Sequence, residues 1–568
     1  MYHKFRWAAM VVAFSVWAPS LLSAQADTIP IHVDFSDLFE FYQEKGRTVQ
    51  KLLGSVELHQ DSVYMFCDSA FIFNELDVTA MSNVLIQQGD SISVFADSLS
   101  YQGAERLADL FGNVILMNGN QKLFTTKLHY DLNTRIATYD TGALLTNDTT
   151  QLISKRGYYY VGQHEIFFKD SVQIIDPNFE LRTDTLSYNT NTQIARFLAP
   201  TLIVQDSSRI YCESGYYDVR NQTALFSQNP QYLKGETLAT ADSIRYDGMK
   251  KEVSLEGNAF FESEKRKATA DKIRYLEDTE EIFLIGQARY ESESQVIVAD
   301  RFDFEQGTGL GIAQGNVVWQ DTTQGLSIYC EQARYKEKGD YILAFGGRNN
   351  RPLMISKIDN DSLFLTADTL VAQRGDTLAS DSSRMLRAYH RVRIFKSDLQ
   401  ALCDSLSYSS GDSLFRLYRE PLIWSDTTQF SADTIHIRMQ EKGVERIDLY
   451  SQSLIINSPD LKYFNQIKGK YIKAFFKEEG IHRMRVEGNA ESLYYALDDS
   501  NAYIGVNQTA CSEMLFVFAE KKLKEIKFYQ EPSGRLIPMK EADHEKLKLE
   551  GFRWEYDRRP KSLEDLFQ

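Results

Sequence analysis

Two short signatures return along this chain at a nearly constant interval of 29 residues, and this repeat constrains the fold more than any other feature. The first signature runs from Ala96 to Tyr101, with the sequence ADSLSY. Its first position serves as a phase marker, and Asp or Glu follows it in most copies. The marker recurs at Cys67, Ala96, Thr125, Ser154, Thr183, Cys212, Ala241, Ala270, Ala299, Cys330, Ala367, Cys403 and Ala432.

The second signature, Gly112-Asn113-Val114, keeps the same interval as the first. Its asparagine position recurs at Asn83, Asn113, Gly142, Ser171, Pro200, Asn229, Asn258, Gln287 and Asn316. Beyond Gly347 the spacing loosens, which indicates insertions in loops. Two markers with one period predict an array of like units stacked along the chain.

The apolar residues alternate as they do in β-strands, but their phase changes at the first signature. Before the marker they lie at even offsets, as at Val94, and after it at odd offsets, as at Leu99. Because side chains alternate faces along a strand, this change predicts an inserted residue or corner at Asp97-Ser98. Around Gly112 the apolar residues keep one phase, which predicts a bend with no inserted residue.

Short polar turns separate these bent segments and suit antiparallel hairpins, as at residues 102–105 and 118–120. Each bent strand would leave one sheet, turn a corner and enter a second sheet. We therefore expect an elongated all-β body of two antiparallel sheets joined along a spine, with apolar side chains between them. A coil of parallel rungs is the alternative.

Composition and the N-terminus restrict the class of protein. A net charge of −16 argues against a nucleic-acid partner, which would need a basic surface. Lys4 and Arg6 precede an apolar run to Leu22, and Ala24-Gln25-Ala26 resembles a cleavage site, so residues 1–26 are predicted to be a cleaved signal peptide. An uncleaved membrane anchor is the alternative.

These patterns divide the chain into five predicted parts. They are the signal peptide at 1–26, an N-terminal lead-in at 27–52, regular repeats at 53–346, irregular repeats with insertions at 347–456, and a C-terminal β cap and tail at 457–568. The last part would either dock a partner or cap an open sheet edge.

No residue pattern predicts catalysis, a cofactor or a metal site. Asp suits corners through its hydrogen bonds to nearby backbone, and the glycine-rich calcium pattern of β-rolls is absent from the sequence. Cys67, Cys212, Cys330 and Cys403 occupy the marker position, which predicts small buried residues too far apart for disulfides. The histidines show no ligand spacing, and no nucleotide-binding or hydrolase motif is present.

With the ADSLSY and GNVIL signatures in view, the chain resembles the OstA/LptA-like family of lipopolysaccharide transport proteins from about Leu53 to Ile456. The resemblance implies a V-shaped β-jellyroll whose interior carries lipopolysaccharide or lipid A acyl chains through the periplasm. It implies a periplasmic location, with association with the outer membrane as a further expectation. It also implies inner- and outer-membrane transport components as partners. The apolar columns would then line a groove formed by Val94, Leu99, Tyr101, Leu110, Val114, Leu116, Leu186, Tyr188, Phe197, Ile244, Tyr246, Ile273, Tyr275, Leu284, Phe302, Phe304 and Val317.

Two other functions stay open at the level of sequence. The apolar columns would equally fill a dry core in a structural or adhesive envelope protein. A carbohydrate-active β-solenoid enzyme would need a localised carboxylate pair, which the sequence neither identifies nor rules out.

Overall fold

The computed structural model describes residues 29–568 except 90–91, 148, 293–294, 324, 359–360, 376–382, 441–442, 478–479, 499 and 520–521. The predicted signal peptide lies outside the described residues. The chain forms two compact units, the first ending at Asn191 and the second beginning at Thr192. No helix in the described part is long and apolar enough to cross a bilayer.

The first unit consists of strands joined by tight turns, with a 3-10 turn at Val161–Gln163. Its strands are β1 His32–Phe35, β2 Leu38–Glu44, β3 Arg47–Gln60, β4 Val63–Phe73, β5 Asp77–Gln88, β6 Ile92–Gln102, β7 Leu107–Asn118, β8 Gln121–Asp131, β9 Ile136–Tyr139, β10 Ala143–Asn147, β11 Thr150–Ser154, β12 Arg156–Tyr160, β13 Glu165–Ile175 and β14 Glu180–Asn189.

The second unit continues the same pattern and has 3-10 turns at Arg348–Asn350, Tyr556–Arg558 and Glu564–Phe567. Its strands are β15 Ile194–Phe197, β16 Thr201–Gln205, β17 Ser208–Cys212, β18 Ser214–Asp218, β19 Thr223–Ser227, β20 Gln231–Lys234, β21 Thr237–Thr240, β22 Ser243–Asp247, β23 Glu252–Ser263, β24 Arg266–Leu276, β25 Glu281–Ser292, β26 Gln295–Glu305, β27 Leu310–Asp321, β28 Leu326–Lys336, β29 Tyr341–Phe345, β30 Leu353–Ile358, β31 Asp361–Thr366, β32 Thr369–Arg374, β33 Arg384–Phe395, β34 Gln400–Ser409, β35 Leu414–Tyr418, β36 Leu422–Ser425, β37 Thr428–Ser431, β38 Thr434–Gln440, β39 Gly443–Asn457, β40 Asn465–Lys477, β41 Gly480–Leu497, β42 Tyr503–Ala519, β43 Lys522–Tyr529 and β44 Ser533–Pro538.

Each long strand is two arms joined at a corner, and each arm belongs to a different sheet. In β6, residues 92–95 pair with the end of β7, whereas residues 98–102 pair with its beginning. Where a strand breaks at its corner, the two pieces pair separately, so β8 takes β10 on one arm and β9 on the other. The described pairings are antiparallel, which confirms the all-β arrangement of antiparallel sheets expected from the repeat and agrees with the jellyroll that the resemblance implies. We call the sheet containing residues 92–96 and its equivalents the first sheet, and the other the second sheet.

The corners differ from the sequence prediction in one respect. Gly112 and Asn113 of β7 together lie opposite the single residue Thr126 of β8, and Ser82 and Asn83 of β5 lie opposite Asp97 of β6. The extra residue therefore belongs to the Gly-Asn strand. The prediction of an insertion at Asp-Ser, with none at Gly-Asn, was wrong.

Left-handed backbone explains the error. Both residues of the extra pair have positive φ at the corners of Ser82 (65°) with Asn83 (52°) and of Gly257 (75°) with Asn258 (45°), and at the β7 corner Gly112 has a φ of 95°. The alternation of faces holds for extended backbone, and consecutive left-handed residues do not obey it. The Gly-Asn strand thus keeps its apolar phase although it carries the added residue.

The two signatures meet at the corner and form one structure. The Asp97 carboxylate accepts hydrogen bonds from the backbone N–H and the side-chain amide of Asn113, each at 3.0 Å. A Cβ added to Gly112 would lie 2.2 Å from Asp97 Oδ2, so the carboxylate occupies the space that glycine leaves. The same contact recurs at Gly257 with Asp242. These aspartates therefore hold the spine together through amide donors.

The chain after β44 runs back across the outer face of the first sheet in the second unit. Phe430 points into the core, so its neighbour Gln429 faces outward, yet Gln429 is only 1% exposed. Its amide donates to the carbonyl of Arg553 at 2.7 Å and accepts from the N–H of Glu555 at 2.8 Å. Gln466 makes the same pair of bonds with an earlier part of this C-terminal tail, at Leu547 and Leu549.

Candidate functional site

The predicted groove residues all belong to the faces of the two sheets that turn toward each other. Most are fully buried, with 5% or less of their surface exposed: Val94, Leu99, Tyr101, Leu110, Val114, Leu116, Leu186, Phe197, Ile244, Ile273, Leu284, Phe302, Phe304 and Val317. Tyr188, Tyr246 and Tyr275 are instead partly exposed. The predicted residues of each unit therefore lie in one interior. They differ in solvent exposure, since the three tyrosines are partly exposed and the others are buried.

In the first unit, polar side chains close the interior at the ends of the strands farthest from the corner. Tyr130 of the second sheet donates from its hydroxyl to Gln88 Oε1 of the first sheet at 2.6 Å, and Asn118 Nδ2 donates to Tyr159 Oη at 2.6 Å. Tyr101 makes the equivalent bond to Gln60. These three bonds join the sheets across the mouth, and we call them the tyrosine zipper.

The tyrosines of the zipper are buried; Tyr101 and Tyr130 donate from their hydroxyls, whereas the Tyr159 hydroxyl accepts from Asn118. Burial raises the pKa of Tyr101, Tyr130 and Tyr159 above the ordinary value for a phenol. Each hydroxyl has a partner, as expected for buried polar groups. The interior of the first unit is consequently a closed core along the zipper.

The interior of the second unit is more accessible over residues 194–282. Next to the corner, Cys212, Phe226 and Leu255 are buried. Toward the mouth, the same faces hold partly exposed apolar side chains: Ile203, Ile210, Tyr232, Tyr246, Val253, Phe261, Tyr275 and Ile282. We call this set the half-open face. It is an apolar surface within the jellyroll that water reaches, and such a surface can accept acyl chains by non-directional contact.

Beyond the half-open face the second unit closes again around aromatic rings. Tyr290 packs on Phe302 with ring centroids 5.2 Å apart, and Tyr335 lies 6.3 Å from Phe302. At the mouth, Arg384 of the second sheet bonds Asp321 of the first, and Asp321 is completely buried. The packed rings fill the interior of this stretch next to the corner.

An ion pair also crosses the mouth next to the half-open face. Arg266 of the first sheet donates through Nη2 to both carboxylate oxygens of Glu337, each at 2.9 Å. Glu337 follows the last residue of β28 in the second sheet. This bidentate pair therefore ties the two sheets together where the interior begins to close.

The four cysteines at the marker positions show no reactive character. Cys67, Cys212, Cys330 and Cys403 are buried and free, which confirms the prediction of small buried residues. Burial raises the pKa of the Cys212 thiol to about 11 and that of Cys330 to about 12. Neutral buried thiols are poor nucleophiles and metal ligands. Within the described residues, no group of three or more His, Cys, Asp or Glu side chains could hold a metal ion.

The edge of the second sheet at the N-terminal end is apolar and exposed. β2 pairs with β3, and every residue of β2 is exposed, with Phe39 at 52% and Phe41 at 60%. At the other end of the chain, β43 carries Lys524 and Lys527. An exposed strand edge offers backbone groups for pairing with another strand, whereas lysines discourage such pairing.

Sequence reasoning missed two features of the site. The amides of Gln60, Gln88 and Asn118 recur about one period apart at strand ends, and this signal was available beside the tyrosines of the zipper. The covering of outward residues such as Gln429 by the C-terminal tail had no sequence signal, because the contact spans 124 residues.

Two family models match the N-terminal part of the chain. Residues 29–184 match the model of the OstA-like proteins, and residues 154–281 match the model of the LptA/LptD N-terminal domain lipopolysaccharide transport proteins. Among solved structures, the chain is similar to LptH, the LptA-homologous periplasmic component of the lipopolysaccharide transport device of Pseudomonas aeruginosa. That likeness has 20% identity over 17% of this chain and 75% of LptH, with a TM-score of 0.17. No curated protein matches the chain.

Proposed function

We propose that this chain, which belongs to the OstA/LptA-like family of lipopolysaccharide transport proteins through residues 29–281, is a non-enzymatic periplasmic carrier or bridge that takes lipopolysaccharide toward the outer membrane. Acyl chains lie between its two sheets. Neighbouring transport components drive their movement, since the sequence contains no nucleotide-binding motif.

One observation carries the proposal, the half-open face. Its side chains, such as Tyr246 and Tyr275, are large and apolar and lie on the inward side of their strands, yet they are partly exposed. Burying such a side chain against lipid stabilises the complex by about 25 cal/mol for each Å² of apolar surface removed from water. The half-open face therefore supplies the acyl-chain site, and the closed interiors on either side of it along the sequence serve as structural cores.

The remaining parts of the proposal concern partners and location. The exposed apolar edge strand β2 pairs with a strand edge of a membrane-associated transport component, by addition of one strand to the sheet. The N-terminal signal peptide exports the chain to the periplasm. The irregular repeats and the C-terminal region, residues 347–568, form the end that faces the second membrane component.

A complementation experiment in cells tests this function. Depletion of the chain is expected to leave newly made lipopolysaccharide in the inner-membrane fraction, because the carrier is missing. A Tyr246→Asp/Tyr275→Asp chain is expected not to restore transport, because carboxylates in the half-open face exclude acyl chains. The control, Leu202→Asp/Leu233→Asp, changes outward residues that are 37% and 41% exposed and should restore transport.

The same experiment separates the carrier from a structural protein of the envelope. Lipopolysaccharide that reaches the cell surface at a normal rate without this chain would contradict the proposal and favour the structural role. If the inward and outward double variants restore lipopolysaccharide transport equally at equal protein levels, the half-open face is not the acyl-chain site.

A further inference from the structure

A polar cavity lies at the mouth of the second unit, beside the half-open face. It has a volume of about 650 Å³, within the range of sites for small molecules, about 300–1,000 Å³. Arg266 and Ser263 line it from the ends of first-sheet strands, and Tyr335 and Glu337 line it from the end of a second-sheet strand. Phe261 of the half-open face lies two positions before Ser263 on the same strand and face, so the apolar interior continues into this cavity.

Four carboxylates and three cationic side chains line the cavity, so its charges nearly balance, and two of the cations are held in ion pairs. Arg266 is held by Glu337, and Arg374 donates to Asp340 Oδ2 at 2.6 and 2.9 Å. A free phosphate would meet carboxylates as well as guanidinium groups, so the cavity offers little net attraction to an anion. Planar carboxylates and guanidinium groups do offer many hydrogen-bond acceptors and donors.

Two polar atoms buried at the base of this region lack partners. Gln295 lines the cavity and is 3% exposed; its Oε1 accepts from Trp319 Nε1 at 3.2 Å, but its Nε2 has no hydrogen-bond partner. The hydroxyl of Tyr290, a residue 4% exposed, also has none. Because buried polar groups in folded proteins are almost always paired, two unpaired groups beside a cavity make that cavity a candidate ligand site.

Tyr290 lies next to the residues that line the cavity. Its ring packs against that of Tyr335 at a centroid distance of 6.4 Å. Burial raises the pKa of Tyr290, and the charges of Arg266 and Glu337 act on it in opposite directions. The Arg266 guanidinium lies over the ring of Phe304 at 5.6 Å, and the Tyr290 ring packs on that same ring at 5.4 Å, so Tyr290 lies close to the ion pair that crosses the mouth.

We propose that this cavity binds the sugar headgroup of the amphiphile, with hydroxyl groups of the sugar pairing with Gln295 Nε2 and Tyr290 Oη while the acyl chains lie on the half-open face. The inference rests on the proposed function and adds a second, polar subsite to it. Sugar hydroxyls both donate and accept hydrogen bonds, so they suit a near-neutral site with donors and acceptors intermixed. The ion pairs fix the lining side chains in place before the ligand binds.

Binding of a headgroup without acyl chains tests the subsite. The probe is the water-soluble oligosaccharide left after complete deacylation of lipopolysaccharide, titrated into the purified chain by calorimetry or ligand-observed NMR. Tyr290→Phe removes the unpaired hydroxyl and is expected to weaken binding about five- to tenfold without loss of stability, since that hydroxyl bonds nothing in the protein. Gln295→Glu removes the unpaired donor, keeps the acceptor for Trp319, and should weaken binding as well.

Tyr130→Phe is the matched control, because its hydroxyl is bonded to Gln88 in the closed first unit. It should leave oligosaccharide affinity unchanged. Two results would contradict the proposed subsite. One is an oligosaccharide affinity that is the same in the wild-type, Tyr290→Phe and Gln295→Glu chains, and the other is no binding of the oligosaccharide at millimolar concentration. A diazirine-labelled fatty acid is measured in parallel. If it binds while the oligosaccharide does not, only the subsite fails, whereas loss of fatty-acid binding contradicts the proposed function itself.

Discussion

Replacing the corner glycine Gly315 by alanine should destabilise the second unit more than the same change at a turn glycine. Gly315 has a φ of 74°, and a Cβ added there would lie 2.2 Å from Asp300 Oδ2. The left-handed backbone costs a non-glycine residue about 1–2 kcal/mol. The carboxylate must also move, which breaks its 3.0 Å bond from Asn316 Nδ2, worth about 0.5–1.5 kcal/mol. The total is about 1.5–3.5 kcal/mol.

Gly325 provides a matched control in the next turn of the same meander. Its φ is 59°, and an added Cβ would meet nothing within 4 Å, so Gly325→Ala should cost only the backbone penalty of about 1–2 kcal/mol. Urea unfolding, followed by the fluorescence of Trp319 in a chain whose other described tryptophans are phenylalanine, measures both variants.

A double-mutant cycle isolates the contact between carboxylate and glycine. Adding Asp300→Ala to Gly315→Ala removes the clash, so the double variant should lose less stability than the sum of the single losses. Equal destabilisation by Gly315→Ala and Gly325→Ala, together with strict additivity in the cycle, would refute the role assigned to the carboxylate at the spine.

Three further predictions follow from the contacts of buried groups. Tyr130→Phe removes the 2.6 Å bond to Gln88 and should lower the stability of the first unit by about 1 kcal/mol, with faster amide exchange at the strand ends near the mouth as the readout. Of the thiols, only Cys511 should react with a disulfide reagent at pH 8 in the native chain, because burial keeps Cys212, with a pKa of about 11, protonated; rapid reaction of Cys212 would contradict its burial. Gln429→Ala removes two bonds to the C-terminal tail and should speed its cleavage by protease, whereas unchanged cleavage would show that the tail is held by other contacts.

The fold could be predicted from the sequence because several independent features of the repeat indicate the same arrangement of strands. The interval of 29 residues, the hairpin turns and the apolar columns all indicate the same stacked, bent strands. The location of the inserted residue was not predictable from alternation alone. Asp97 and Gly112 are 15 positions apart, and their contact becomes visible only when the two strands pair across one hairpin.

The sequence predicted which residues face the interior of the candidate site. It did not predict which of them are exposed to solvent. Tyr101 and Tyr246 occupy the same phase of the repeat and have the same side chain, yet Tyr101 is 5% exposed and Tyr246 is partly exposed. The difference in exposure depends on how closely the ends of the two sheets approach each other. This distance cannot be read from the type of side chain at one position. The partner of Tyr101, Gln60, lies 41 residues away and closes the mouth there.

Photo-crosslinking at two adjacent residues tests the central claim most directly. Ile203 points into the half-open face, while Leu202 points outward and is 37% exposed. With a photoreactive amino acid at either position in cells that are making lipopolysaccharide, we expect adducts to lipopolysaccharide at Ile203 and none at Leu202. Absence of adducts at Ile203, or equal yields at the two positions, would contradict transport of acyl chains between the sheets.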